Sequence, residues 1–165
     1  MITTTPKTDQ DNLASHLNEG ETHDVIETRL WLNEHDWLYD LLRSEDNVSP
    51  TFRFPDLISA CVSLIFKHQD ASTHIFRFLG TELVLRSPQT PRRRESMWRP
   101  QYQLLLDLQR SPANRHPTPK FQLDQLTTAC VALCQGLDKS GESILQQARR
   151  NMAARTQQEQ TALPG

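Results

Sequence analysis

Apolar positions along the chain fall into two similar series, separated by a polar stretch rich in arginine. In the first series, Val25-Ile26-Glu27-Thr28-Arg29-Leu30-Trp31-Leu32 is rich in β-branched and large apolar residues and alternates at its end, which predicts a strand. Asn33 is a good N-cap, and Glu34 and Asp36 suit the positive end of a helix dipole. Trp37, Leu38, Leu41 and Leu42 form an apolar stripe, so 34–44 reads as a short amphipathic helix. Ser44 to Pro50 is a polar loop. A second helix starts near Pro55, a residue suited to a first turn, and Leu57, Ile58, Cys61, Val62, Leu64 and Ile65 make it apolar over a broad face. The second series predicts helices over 101–110 and 121–137. Residues 68–80 read as a short linking helix. Glu142, Ile144, Leu145, Ala148 and Met152 predict a moderately amphipathic helix over 142–156, with a polar tail from Gln157 to Gly165. Residues 1–23 are polar and acidic without periodicity, the composition of a disordered tail.

The two series are copies of one another. WLYDLLRSEDNVSPT (37–51) aligns with LLLDLQRSPANRHPT (104–118) at an offset of 67, and FRFPDLISACVSLI (52–65) with FQLDQLTTACVALC (121–134) at an offset of 69. Identical pairs include Leu38/Leu105, Leu41/Leu108, Ser44/Ser111, Asn47/Asn114, Phe52/Phe121, Ala60/Ala129 and Cys61/Cys130, and the first offset sets Trp31 on Trp98. Identity at about half the positions marks a tandem duplication. Each copy reads strand, short helix, loop, buried helix. The strand of copy two is degenerate: its core-facing positions would be Glu95, Met97 and Arg99, of which only Met97 suits a core. Two segments therefore compete for it, 94–99 by register and 81–87 by composition, the latter making 88–99 an inserted basic loop. The resulting division is 24–68 for copy one, 69–92 for a linker or insert, 93–138 for copy two and 139–165 for the C-terminal helix and tail.

Composition narrows the function. A chain of 165 residues, 36% hydrophobic and 23% charged with a mean hydropathy of −0.61, suits one ordinary domain. No apolar run approaches the roughly 18 residues of a membrane span, and the N-terminus lacks the apolar core of a signal peptide. Three cysteines do not make a disulfide framework, so a cytoplasmic protein with reduced thiols is expected. Cys130 and Cys134 stand at i, i+4, but no second pair completes a zinc-finger spacing, and the cysteines read as buried small hydrophobes. The six histidines are scattered, and no glycine-rich loop, nucleophile elbow or paired-carboxylate motif is visible. No catalytic residue, metal or cofactor is expected. The net charge of −2 hides a segregation. Residues 1–50 carry three bases against eleven acids, whereas 86–120 carry eight bases against Glu95 and Asp107. That pattern fits two solvated faces, or a basic surface for a polyanion with an acidic portion that faces a protein partner or limits non-specific binding.

Strand, helix, helix in some 45 residues resembles the ribbon-helix-helix (MetJ/Arc-like) superfamily. The resemblance rests on Arg29-Leu30-Trp31-Leu32-Asn33-Glu34-His35-Asp36-Trp37-Leu38, similar to that family's strand and first helix, and on Phe54-Pro55-Asp56-Leu57-Ile58-Ser59-Ala60-Cys61-Val62, similar to the start of its second. A tandem copy in one chain is similar to the single-chain accessory proteins of conjugative-plasmid nicking complexes. The resemblance implies a mainly α fold with a short two-stranded antiparallel ribbon, the two copies forming one pseudo-dimer around a shared core. It also implies a ribbon that enters the major groove of double-stranded DNA. Glu27, Arg29 and Trp31 would then face outward with Arg94, Ser96 and Trp98. Thr51, Arg53, Thr118 and Lys120 would stand at the phosphate-binding helix starts, with Arg92, Arg93 and Arg94 as a flexible clamp. Glu27 departs from what a phosphate-rich partner favours. The function implied is a transcriptional repressor or an accessory factor of plasmid or mobile-element DNA processing, as a monomeric pseudo-dimer or a higher oligomer on DNA. The alternatives are a protein-interaction adaptor that kept the core without strong DNA binding, and an antitoxin whose C-terminal helix fills a partner's groove.

Overall fold

The computed structural model describes residues 24–114 and 120–162, so the expected N-terminal tail, with Thr118 of the second helix start, lies outside the described residues. Described residues form two strands and six α-helices: β1 (Val25–Trp31), α1 (Leu32–Leu42), α2 (Phe54–Phe66), α3 (Ala71–Thr81), β2 (Arg92–Trp98), α4 (Arg99–Gln109), α5 (Leu123–Leu137) and α6 (Glu142–Ala162). The architecture is mainly helical with one two-stranded antiparallel sheet. The second strand is Arg92–Trp98, which overlaps the 94–99 segment expected from register but begins two residues earlier and ends before Arg99, the first residue of α4. Leu83–Leu85 is instead a turn of 3₁₀ helix that buries Leu83 and exposes Val84 and Leu85. Arginines expected as a flexible clamp in a loop are thus strand residues.

The strands pair in a register centred on Thr28 opposite Glu95, with Arg29 opposite Arg94, Glu27 opposite Ser96, Trp31 opposite Arg92 and Val25 opposite Trp98. Each strand passes into its helix without a loop, and this displaces the expected cap. Helix α1 begins at Leu32 with Trp31 as N-cap, not after Asn33, because the Leu32 N–H is already satisfied by the Pro91 carbonyl at 2.9 Å across the sheet. The matching donor, Arg99 N–H, finds the Asp24 carbonyl at 2.6 Å. Sheet hydrogen bonding thus supplies the partners that free helix ends otherwise take from a capping side chain.

Helices α2 and α5 form the centre of the core, with Leu57, Ile58, Ala60, Cys61 and Val62 fully buried on one and Leu126, Ala129, Cys130 and Val131 on the other. Cys61, Cys130 and Cys134 are free and buried, and burial pushes the Cys61 and Cys130 thiols well above their ordinary pKa. Strand β1 lies over α5, whereas β2 lies over α2. The repeated loop is closed in the same way twice. The buried Asn47 amide donates to the Leu42 and Phe52 carbonyls and accepts from Phe52 N–H, and Asn114 does the same with Gln109 and Phe121. Helix α3, expected as a linker, adds Ala71, Ile75 and Leu79 to the core.

Helix α6 packs along α2 through Ile144, Leu145 and Ala148 and continues to Ala162, six residues beyond its expected end. Its last turns are rich in alanine, glutamine and arginine, which favour helix without needing an apolar stripe. Two devices start it. Gly141 holds φ +79°, and a Cβ there would stand 2.7 Å from Leu41 Cδ1. Asp138 accepts from the Ser140 hydroxyl (2.6 Å) and from the Ser143 N–H (3.0 Å), which lowers its pKa to about 2.

Gly141→Ala is expected to lower stability by about 1–3 kcal/mol in urea denaturation, from left-handed backbone strain and the clash with Leu41. The Asp138 carboxylate stabilises the fold above the ordinary carboxyl pKa and loses that contribution as pH falls toward 2. Thermal melts of the parent and Asp138→Asn are therefore expected to differ at pH 5 and to converge near pH 2.

Candidate nucleic-acid interface

Strand alternation turns Thr28, Leu30, Glu95 and Met97 toward the helices and leaves Glu27, Arg29, Arg94 and Ser96 on the opposite face. Glu27, Arg29 and Arg94 are exposed there. Arg29 and Arg94 are direct cross-strand partners, and like charges so placed destabilise a two-stranded sheet. Glu27 offsets part of this through an exposed ion pair with Arg94 (Nε to Oε2, 3.2 Å).

The tryptophans do not lie on that face. Trp31 and Trp98 each retain only 3% exposure, because their rings fold down onto the first turns of α5 and α2. Trp31 donates its backbone N–H to Thr128 Oγ1 (3.0 Å) and its indole N–H to Asp124 (3.0 Å), and Arg92 lies 3.9 Å over the ring. Trp98 donates its backbone N–H to Ser59 Oγ (2.8 Å) and its indole N–H to Asp56 (2.8 Å), with Arg155 of α6 3.8 Å over the ring. Indole N–H groups need partners when buried, and here each finds a carboxylate from the helix of the other repeat. The alignment hides one difference. Asp56 both takes the indole and caps α2 through Arg53 N–H (3.0 Å), whereas in α5 Gln125 caps through Gln122 N–H (2.8 Å) and Asp124 takes the indole.

Placement of the expected contact residues follows from this. Arg29, Arg93 and Arg94 are exposed on the ribbon, and Ser96 is half-buried beside them. Arg92 is committed to the fold: besides Trp31 it reaches Asp124 (3.4 Å) and the Pro88 and Thr90 carbonyls. Arg53 and Lys120 are exposed near the starts of α2 and α5. Arg86, part of the basic block, is neutralised by a two-pronged ion pair with the buried Glu34 (2.8 and 2.7 Å), which raises the arginine pKa. Glu95, the misfit at a core-facing position, is met by His35 (2.9 Å), whose ring stacks on Phe54. Sequence reasoning missed Asp56, Asp124 and Arg155 as partners of the tryptophans. The first two carried a signal, an acid in the first turn of each long helix. Arg155 carried none.

A cleft of about 300 Å³ opens between β1, α4 and the start of α5, lined by Glu27, Arg29, Tyr102, Gln122 and Asp124 among others. Among the described residues, no group of three or more histidine, cysteine or acidic side chains is placed to hold a metal ion. No helix there is long and apolar enough to cross a membrane. No protein-family model, curated protein or solved structure matches the chain.

Asp56→Ala is expected to cost more than Asp124→Ala, about 2–4 against about 1.5–3 kcal/mol in urea denaturation. Both leave an indole N–H unpaired, but only the first also removes a helix cap.

Proposed function

We propose that the chain is a tandem ribbon-helix-helix pseudo-dimer that binds double-stranded DNA, with its two-stranded ribbon in the major groove. The observation that carries this reading is the Arg29–Arg94 pair on the outer face of β1 and β2, an arrangement that is unfavourable in isolation and favourable against a polyanion. The contacts between repeats support it. Each strand lies over the long helix of the other copy, with Ser59 and Thr128 at matched positions receiving the two tryptophan N–H groups. A half of this kind leaves its apolar helix faces open, and joining two in one chain makes their association intramolecular. B-DNA's major groove, about 12 Å wide, admits a two-stranded ribbon. Arg29 and Arg94 take the base-reading role there, and Arg93, Arg53 and Lys120 the phosphate-contacting role beside the helix starts. A DNA-binding protein of this kind acts as a transcriptional repressor or as an accessory factor of mobile-element DNA processing.

The antitoxin alternative needs the apolar stripe of the C-terminal helix to be free for a partner. Ile144, Leu145 and Ala148 are instead buried against the chain's own α2. The adaptor alternative is favoured by Glu27, which already occupies Arg94.

Fluorescence anisotropy on a selected duplex and a scrambled one, at several salt concentrations, separates these readings. Arg29→Ala is expected to weaken the selected site by roughly 5- to 150-fold while leaving scrambled DNA nearly unchanged, as for loss of a base-edge contact. Lys120→Ala is expected to weaken both duplexes alike and to reduce the slope of log K against log salt by about one unit. A parent protein that binds no duplex even at low salt would leave the adaptor reading in its place.

A further inference from the structure

The register of the ribbon makes its two ends chemically different. Thr28 and Glu95 stand at matched positions of the two repeats and face one another, so the approximate two-fold relation between the copies passes through that pair. It relates Arg29 to Ser96 and Glu27 to Arg94. In a symmetric ribbon each of these would be an identical pair, and the preferred duplex would be a palindrome. Here neither is. On one side of the central pair the strands carry Arg29, Arg92, Arg93 and Arg94 and no acid; on the other side they carry Glu27 and no base.

Resting on the DNA-binding reading, we infer that the ribbon recognises a non-palindromic duplex in a single orientation. Arg29 and Arg94 read guanines in one half of the site, and Glu27 with Ser96 reads a cytosine-containing step in the other. Arginine matches guanine O6 and N7 with two parallel donors, and a carboxylate accepts from the cytosine amino group. Glu27 also enforces the orientation by exclusion. Inverting the complex would set its charge where the arginines otherwise meet guanine O6 and N7, against acceptors that repel a carboxylate. Such mismatches place unpaired charge in a desolvated groove, so they discriminate more strongly than a missing contact. The Glu27–Arg94 ion pair is exposed and is readily exchanged for base contacts on docking.

The test is selection of the full-length protein against a randomised duplex library, followed by anisotropy on the selected site and on two palindromes, each built by doubling one of its halves. The expected consensus is non-palindromic, and it binds at least about tenfold more tightly than either palindrome. A double variant, Glu27→Arg with Ser96→Arg, gives both ends the same chemistry. It is expected to move the preference to the palindrome of the guanine-bearing half, with far-UV circular dichroism confirming its fold. A palindromic consensus from the parent, or palindromes that bind as tightly as the selected site, overturns this inference and leaves DNA binding intact. Failure of any duplex to enrich overturns the DNA-binding reading itself.

Discussion

Two buried indole N–H groups, each held by a carboxylate in the first turn of the facing long helix, set the relation between the ribbon and the helices. An indole ring buries a large apolar area, but the N–H has to be satisfied, and at Trp31 and Trp98 the partners are Asp124 and Asp56. Because Trp31 belongs to the first repeat and Asp124 to the second, and Trp98 and Asp56 the reverse, neither lock closes within one repeat. The backbone N–H groups of the same tryptophans are tied to Thr128 and Ser59, so strand position and ring position are fixed together. These bonds join the strands to the helices they cover, and the helices α2 and α5 in turn pack on one another.

The cations over the two tryptophan rings come from different parts of the chain. Arg92 covers Trp31 from the neighbouring strand, directly opposite it in the ladder. The residue opposite Trp98 is Val25, which has no charge to offer, and the chain supplies Arg155 from α6 instead. That arginine also reaches Asp56, so the C-terminal helix, outside the duplicated segments, completes the second lock. A similar repair surrounds Glu95. Its counterpart Thr28 bonds the Thr127 hydroxyl, whereas the residue matching Thr127 in the first copy is Ile58, and His35 takes the carboxylate. Both of these differences between the repeats are met by a neighbour with the complementary chemistry.

Divergence has a different consequence on the outer face. Inward positions are constrained by packing, and an unmatched polar group there must find a partner or destabilise the fold. Outward positions carry no such constraint, so Glu27 and Arg94, or Arg29 and Ser96, differ freely without disturbing the core.

Repetition and periodicity made most of the fold legible. The Asn47/Asn114, Ser44/Ser111 and Phe52/Phe121 identities mark a loop that closes the same way twice, since local hydrogen bonds depend on local sequence. The apolar faces of α2 and α5, the buried cysteines and the helix ending near Thr81 were likewise readable from spacing alone. Cap positions were not, because Leu32 and Arg99 are satisfied by the carbonyls of Pro91 and Asp24, each just before the partner strand and far away in sequence. Composition favoured 81–87 as a strand over 94–99, which sets Glu95 and Arg99 at core-facing positions; pairing of 92–98 with β1 outweighed that preference, as tertiary context commonly does for strands. Alternation set both tryptophans on the outer face, and the structure buries them instead, because side-chain direction at a strand end does not determine burial. What determined it was an aspartate from the other repeat, a long-range partner that no periodicity within either repeat encodes.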